Sequence, residues 1–134
     1  MKFIEKLLSK NLYKEEKTAA VSIGALGEEA AVKALKKRGY KIAERNYRTK
    51  MGEIDIIAKD KKHIVFIEVK TRINSDFAKA REFVDYRKQR RIKASAALYI
   101  ATRGYEDWLV RFDVAEVYNV EKSPVINIIE NAFE

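Results

Sequence analysis

The sequence predicts a single α/β sandwich. Three observations carry that prediction. Two segments rich in Ile, Val and Phe, Gly52-Glu53-Ile54-Asp55-Ile56-Ile57-Ala58 and Ile64-Val65-Phe66-Ile67-Glu68-Val69-Lys70-Thr71-Arg72, flank the polar break Lys59-Asp60-Lys61-Lys62-His63 and read as a hairpin. Two longer segments with helical periodicity, about residues 18–38 and 78–102, lead into the stop residues Gly39 and Gly104. The chain has 134 residues, 47% apolar and 36% charged, which suits one globular domain with a real core.

Residues 1–17 read as an N-terminal amphipathic extension, with Phe3, Ile4, Leu7, Leu8 and Leu12 at helical spacing among lysines and glutamates. The domain proper is expected over residues 18–134. Its first helix carries Gly24 and Gly27, which weaken it and permit close backbone approach. Glu28 has Ala31, Val32 and Leu35 at i+3, i+4 and i+7, so it leans toward the apolar stripe. Glu29 has Lys33 and Lys36 at corresponding spacings and reads as a solvated ion-pair residue. Glu28 is therefore the candidate site residue.

Residues 39–44 read as a short first strand leading into the basic cluster Arg45-Asn46-Tyr47-Arg48-Thr49-Lys50. The arginine fork donates two hydrogen bonds and suits phosphate, although a solvated basic turn has the same composition. In the hairpin that follows, alternation places Glu53, Asp55 and Ile57 on one face of the first strand. Phe66, Glu68 and Lys70 share one face of the second, and Ile54, Ile56, Val65, Ile67 and Val69 fill the opposite faces as core. Pairing brings Asp55 and Glu68 together, with Lys70 one pleat away. Two readings of this pattern stand side by side. A hairpin with one wet face would show it as solvated cross-strand pairs. A strand covered on both faces, as Ile57 and Phe66 suggest, tolerates such charges only when they are paired or bind a metal. Two carboxylates converging beside a lysine are what a magnesium-dependent phosphodiester hydrolase needs.

After a loop at 73–77, the second helix supplies Phe83, Ile92, Ala96 and Tyr99 as apolar positions. Its cations Lys79, Arg81, Arg87, Lys88, Arg90, Arg91 and Lys93 stand against only Glu82 and Asp85, the densest basic patch in the chain. That patch is either a solvated face or a track for a nucleic-acid backbone. Residues 108–118 read as a fourth strand, and 124–129 as a fifth at an edge, where Pro124 is tolerated.

Composition narrows the function. There is no cysteine, so disulfides and thiolate metal sites are excluded, in keeping with a reducing cytoplasm. His63 is the only histidine and lies in the hairpin turn, so His-rich zinc catalysis is not expected. No Gly-rich phosphate loop suggests ATP or dinucleotide binding. No apolar run approaches the roughly 20 residues of a membrane span, and residues 1–22 lack a continuous apolar signal core. A net charge of +8 points to a polyanionic partner, nucleic acid ahead of a membrane.

Asp55 followed by Glu68-Val69-Lys70 on the next strand, in this element order, resembles the PD-(D/E)XK nuclease superfamily; the first half-motif, Glu53-Ile54-Asp55, lacks the eponymous proline. One branch is closer. Gly24-x-x-Gly27-Glu28, Gly39-Tyr40, Arg45-Asn46-Tyr47-Arg48, Gly52-Glu53-Ile54-Asp55-Ile56-Ile57, Phe66-Ile67-Glu68-Val69-Lys70-Thr71-Arg72 and Arg111-Phe112-Asp113 resemble the bacterial YraN family. These are uncharacterised endonuclease-like proteins similar to archaeal Holliday-junction resolvases. The resemblance covers about residues 20–118.

It implies a restriction-endonuclease-like αβββαβ sandwich with a central mixed sheet of four or five strands flanked by helices. It implies that Asp55, Glu68 and the Val69 carbonyl hold Mg2+ or Mn2+, that Lys70 orients or activates the attacking water, and that Glu28 completes the site. Lys88 matches a second-helix lysine facing the phosphate, and Arg45, Arg48, Arg72 and Arg91 are expected to join it in binding nucleic acid, DNA before RNA. Resolvase relatives imply a homodimer. The loop at 73–77 departs from the pattern by lacking a glycine. The resulting expectation is a metal-dependent endonuclease acting on branched or structured DNA. The alternatives are a non-catalytic nucleic-acid-binding module with the same fold, and an interaction protein whose basic helix docks an acidic partner.

Overall fold

The structure, a computed structural model, describes residues 23–72 and 84–134. The elements run α1 (residues 23–37), β1 (Lys41–Arg48), β2 (Glu53–Lys59), β3 (His63–Arg72), α2 (Tyr86–Arg103), β4 (Leu109–Tyr118) and β5 (Val125–Ile129). The five strands form one sheet in chain order. β1–β2, β2–β3 and β4–β5 are antiparallel and β3–β4 is parallel. This mixed sheet between helices is the restriction-endonuclease-like arrangement that the motifs imply. The N-terminal extension at 1–17, the start of the first helix, the loop at 73–77 and the expected helical residues 78–83 lie outside the described residues. No helix among the described residues is long and apolar enough to cross a membrane.

Each face of the sheet is covered by one helix, which explains why β2 and β3 read as nearly continuous apolar runs. On one face Ala31, Val32 and Leu35 of α1 pack over Ile56, Ala58, Val65, Ile67, Ala115 and Val117. On the other, Ile92, Ala96 and Tyr99 of α2 pack over Ile57, Ile64, Phe66 and Val114. Tyr99 meets Tyr47 and Phe66 edge-on, with ring centroids 5.1 and 6.2 Å apart, an arrangement that adds to simple area burial. Leu35 is almost wholly buried, which contributes about 1.5–3 kcal/mol.

Gly27 fixes how closely α1 sits on the sheet. A Cβ there would fall 1.9 Å from Thr71 Oγ1, so the helix rests on β3 through a residue without a side chain. α1 ends as the sequence predicts. Gly39 takes a left-handed φ of 93°, its N–H donates to the Lys36 carbonyl, and Tyr40 N–H donates to the Leu35 carbonyl, the paired closure of a Schellman motif.

Two boundaries differ from the sequence expectation. The short first strand expected at 39–44 runs on to Arg48, because Arg45, Tyr47 and Arg48 pair with Ile56, Ile54 and Glu53. Arg45 to Arg48 of the basic cluster are therefore edge strand, where charge guards an unpaired side, and only Thr49 and Lys50 belong to the turn. The second helix begins at Tyr86 and not in a continuous run from 78. Asp85 has φ −65° and ψ 162°, and its side chain accepts the Lys88 N–H, a local N-cap that stops the helix from extending backward.

Candidate active site

The β2–β3 ladder pairs Ile57 with Phe66 and Ile56 with Ile67, so the next step sets Asp55 opposite Glu68. The two strands part at that step. Asp55 Oδ2 accepts the Val69 backbone N–H at 2.8 Å, and a side chain thereby takes the donor that a ladder carbonyl would otherwise use. On the other side of Asp55, Asn46 lies between the pairs Arg45–Ile56 and Tyr47–Ile54 and has a left-handed φ of 52°. One core residue departs from strict alternation. Alternation puts Ile54 with Ile56, but Ile54 packs in the α2 cluster with Ile57 and Phe66, while Ile56, Val65, Ile67 and Val69 remain under α1.

Glu68 is 6% exposed and is met from α2 by the ammonium of Lys88. Several contacts hold that part of α2 in place. Asp85 caps its first turn. Thr49 Oγ1 accepts the N–H groups of Met51 and Gly52 in the β1–β2 turn and shares a 2.9 Å hydrogen bond with the buried Ser95 hydroxyl. Gly52 lies flush against the helix, where a Cβ would come within 2.9 Å of Arg91 Cβ.

Burial dominates the local electrostatics, and the crowding of carboxylates adds to it. Burial, reinforced by the neighbouring Glu68 charge, pushes the Asp55 carboxyl up to about 7, although the Val69 N–H and Lys88 pull the other way. Glu28 on α1 is also raised, by burial first and then by Asp55, against the lowering effect of Asn46 and Arg45. Burial opposes the charge on Lys88, yet its hydrogen bond and attraction to Glu68 hold it above its ordinary value.

The structure thus brings Asp55, Glu68 and Lys88 within electrostatic reach of one another, and Glu28 within reach of Asp55. Lys70, partly buried, lies two residues beyond Glu68 on β3, with Glu116 as its neighbour on β4. Arg45 comes close enough to influence Glu28, and it pairs at 3.1 Å with Glu29, whose expected partners were Lys33 and Lys36. Arg48 pairs with Glu53 at 3.4 Å and is well exposed. Arg91 is exposed beside the β1–β2 turn. Arg72 does not share that surface: its side chain is 17% exposed and stands 3.8 Å from Glu116.

Sequence reasoning quoted Asn46 and Asp113 within motifs but gave neither a role, and it did not single out Glu116, the second buried acid of β4. Asp113 takes a forked pair of bonds from Arg111, whose guanidinium also donates to the Tyr40 hydroxyl at 2.6 Å. Glu116 accepts from Asn127 and from the Tyr118 hydroxyl. The signal that singled out Asp55 and Glu68, acids inside an apolar strand, is present at both positions and here marks structural pairing.

Two carboxylates at a parting of strands suit a hard cation that takes oxygen ligands and keeps several waters. Among the described residues no group of three or more His, Cys, Asp or Glu could enclose a metal. Asp55 and Glu68 offer two carboxylates, a donor set of the kind Mg2+ or Mn2+ takes, and a cation there would offset the Glu68 charge that adds to burial in raising Asp55.

Comparison with known proteins supplies the family. The model of "Uncharacterised protein family UPF0102" matches residues 27–117, a span that contains Glu28, Asp55, Glu68, Lys70 and Lys88. A UPF0102 protein of Alkaliphilus oremlandii is 50% identical over 113 residues, covering 83% of this chain and 97% of that protein. Another, from Caldanaerobacter subterraneus subsp. tengcongensis, is 46% identical over 115 residues, covering 84% and 94%. A third, from Caldicellulosiruptor saccharolyticus, is 47% identical over 113 residues, covering 83% and 96%. The chain belongs to the UPF0102 (YraN) family, a PD-(D/E)XK-like group.

Proposed function

We propose that this protein is a metal-dependent endonuclease that hydrolyses phosphodiester bonds, in DNA ahead of RNA, with branched or structured DNA as its substrate. One observation carries the reading. Asp55 and Glu68 are held together where β2 and β3 part, and burial, with the Glu68 charge added to it, pushes the Asp55 carboxyl up to about 7, with Lys88 against Glu68. Buried like charges kept in contact are expensive, and such an arrangement is a mark of functional sites.

In this reading Asp55, Glu68 and the Val69 carbonyl hold Mg2+ or Mn2+, which when bound supplies Lewis-acid polarisation of the phosphate and a more acidic water. Lys70 orients the attacking water and offers a fixed cation to the charge that develops on the phosphate oxygens. Lys88, already directed inward, donates to a phosphate oxygen, and Glu28 brings a third acid from α1. Arg45, Arg48 and Arg91 contact flanking phosphates. The working compartment is the cytoplasm, and a homodimer presents two such centres to a branched duplex.

The test is incubation of purified protein with labelled duplex, single-stranded and four-way-junction DNA in magnesium, manganese and EDTA. The expected result is metal-dependent cutting, greatest on the junction and reduced about 100-fold or more in Asp55→Ala and Lys70→Ala. Retarded but uncut DNA in every metal arm would overturn the enzyme and leave a binding module.

A further inference from the structure

Arg87, Arg90, Arg91 and Lys93 line one shallow depression with Met51 and Ala94, between the outer flank of α2 and the β1–β2 turn. A second hollow adjoins it, lined by Gly52, Glu53, Asp85, Arg87, Lys88, Arg91 and Ile92. Arg87 and Arg91 belong to both, so a continuous basic path runs from the outer depression to Lys88 and Glu68.

The cations of this depression differ from those that are paired elsewhere in the site and the sheet. Arg45, Arg48, Lys88 and Arg111 are committed to Glu29, Glu53, Glu68 and Asp113. Among the described residues no carboxylate pairs with Arg87, Arg90, Arg91 or Lys93, and Arg90 instead sits over the Tyr86 ring at 5.8 Å. The two acids of the adjoining hollow are otherwise engaged, Glu53 with Arg48 and Asp85 as the cap of α2. An acid at i+3 or i+4 would stabilise charges on a solvated helix face, and among the described residues these four cations have none paired with them. Four like charges around one depression repel one another, and a polyanion relieves that. The floor is also rigid: Gly52 lies against Arg91 and the Thr49–Ser95 bond ties the turn to the helix.

We infer that this depression is a seat for the non-scissile phosphates of the nucleic-acid strand, separate from the carboxylate centre. The inference rests on the nuclease reading and names the side on which substrate must continue. From Arg87 to Lys93 the cations extend along about 9 Å of helix, longer than one phosphate group, so the fitting ligand is a phosphodiester backbone rather than a single anion. Lys88 serves the phosphate at the site, and Arg87, Arg90 and Arg91 serve the strand leaving over the β1–β2 turn.

The experiment is fluorescence anisotropy with labelled duplex and junction DNA in EDTA, across about 50–200 mM salt. It compares wild type with Arg87→Gln/Arg90→Gln/Arg91→Gln, with the matching triple Arg→Lys, and with Lys33→Gln/Lys36→Gln/Lys37→Gln. The last removes the same charge from an exposed stretch of α1. The α2 glutamine variant is expected to lose tenfold or more in affinity, with the slope of log K against log salt falling by about 2–3 at roughly 0.9 per contact. The lysine variant should keep most of the slope, and the α1 variant should keep nearly all of it with wild-type affinity. An unchanged melting temperature confirms that the variants are folded. If wild type binds and the α2 glutamine variant matches it, or loses no more than the α1 variant, the seat is wrong while the nuclease reading stands. No binding by wild type at the lowest salt overturns both.

Discussion

Lys88 on α2 and Glu68 on β3, twenty residues apart in sequence, form an ion pair in which the acid is buried and the base is half exposed. Truncating the base strands a buried charge. Lys88→Met should lower stability by about 1–2 kcal/mol, less than for a fully buried pair because solvent already screens the ammonium. Urea denaturation measures the loss. Millimolar magnesium should raise the melting temperature of the variant more than that of wild type, since a bound cation replaces the missing one. An equal rise in both would show that the metal does not act at Glu68.

Asp55 makes stability depend on pH in a defined direction. Its ordinary value is 3.8 and the folded one about 7, so between those limits the native chain keeps a proton that the unfolded chain has released. Stability from this group is complete below about pH 4 and is lost as pH rises through 7. Asp55→Asn, which keeps an oxygen for the Val69 N–H, should therefore exceed wild type in stability at pH 8 by on the order of 1–3 kcal/mol. The gap should close by pH 4. Denaturant midpoints at several pH values test this, and a gap that ignores pH would sink it.

Gly27 carries a steric prediction. The added methyl of Gly27→Ala would meet Thr71 Oγ1 at 1.9 Å and Thr71 Cβ at 3.1 Å. The helix-propensity gain of roughly 1 kcal/mol is outweighed by displacement of α1, for a net loss of about 1–3 kcal/mol. Adding Thr71→Ala removes the nearer atom and should recover part of the loss. A double variant no better than Gly27→Ala would show that the contact is not the cause.

The hairpin was legible because period-two alternation is a local property, and alternation sets Asp55 beside Glu68 with Lys70 one pleat away. The stops at Gly39 and Gly104 were legible for the same reason. The face taken by Ile54 was not, because strict alternation puts it with Ile56, whereas it packs with Ile57 and Phe66. The pairing of Glu29 with Arg45 and of Lys88 with Glu68 depends on which helix lies on which face, and sequence separation hides that. The start of α2 was a missed local signal, since Asp85 is a favoured capping residue. At Asp113 and Glu116 the pattern was visible but its partners, Arg111 and Asn127, were not distinguishable from other polar neighbours.

The parallel pairing of β3 with β4 has a consequence for the order of assembly. β1, β2 and β3 join through short antiparallel turns, and contacts of that kind close in microseconds. The parallel pair requires a crossover that carries α2, and such non-local closure is slow. Asp55 and Glu68 therefore meet early in folding, while Lys88 arrives only when the crossover is complete. The site therefore joins a local contact, between the acids, to a non-local one, from their counter-charge.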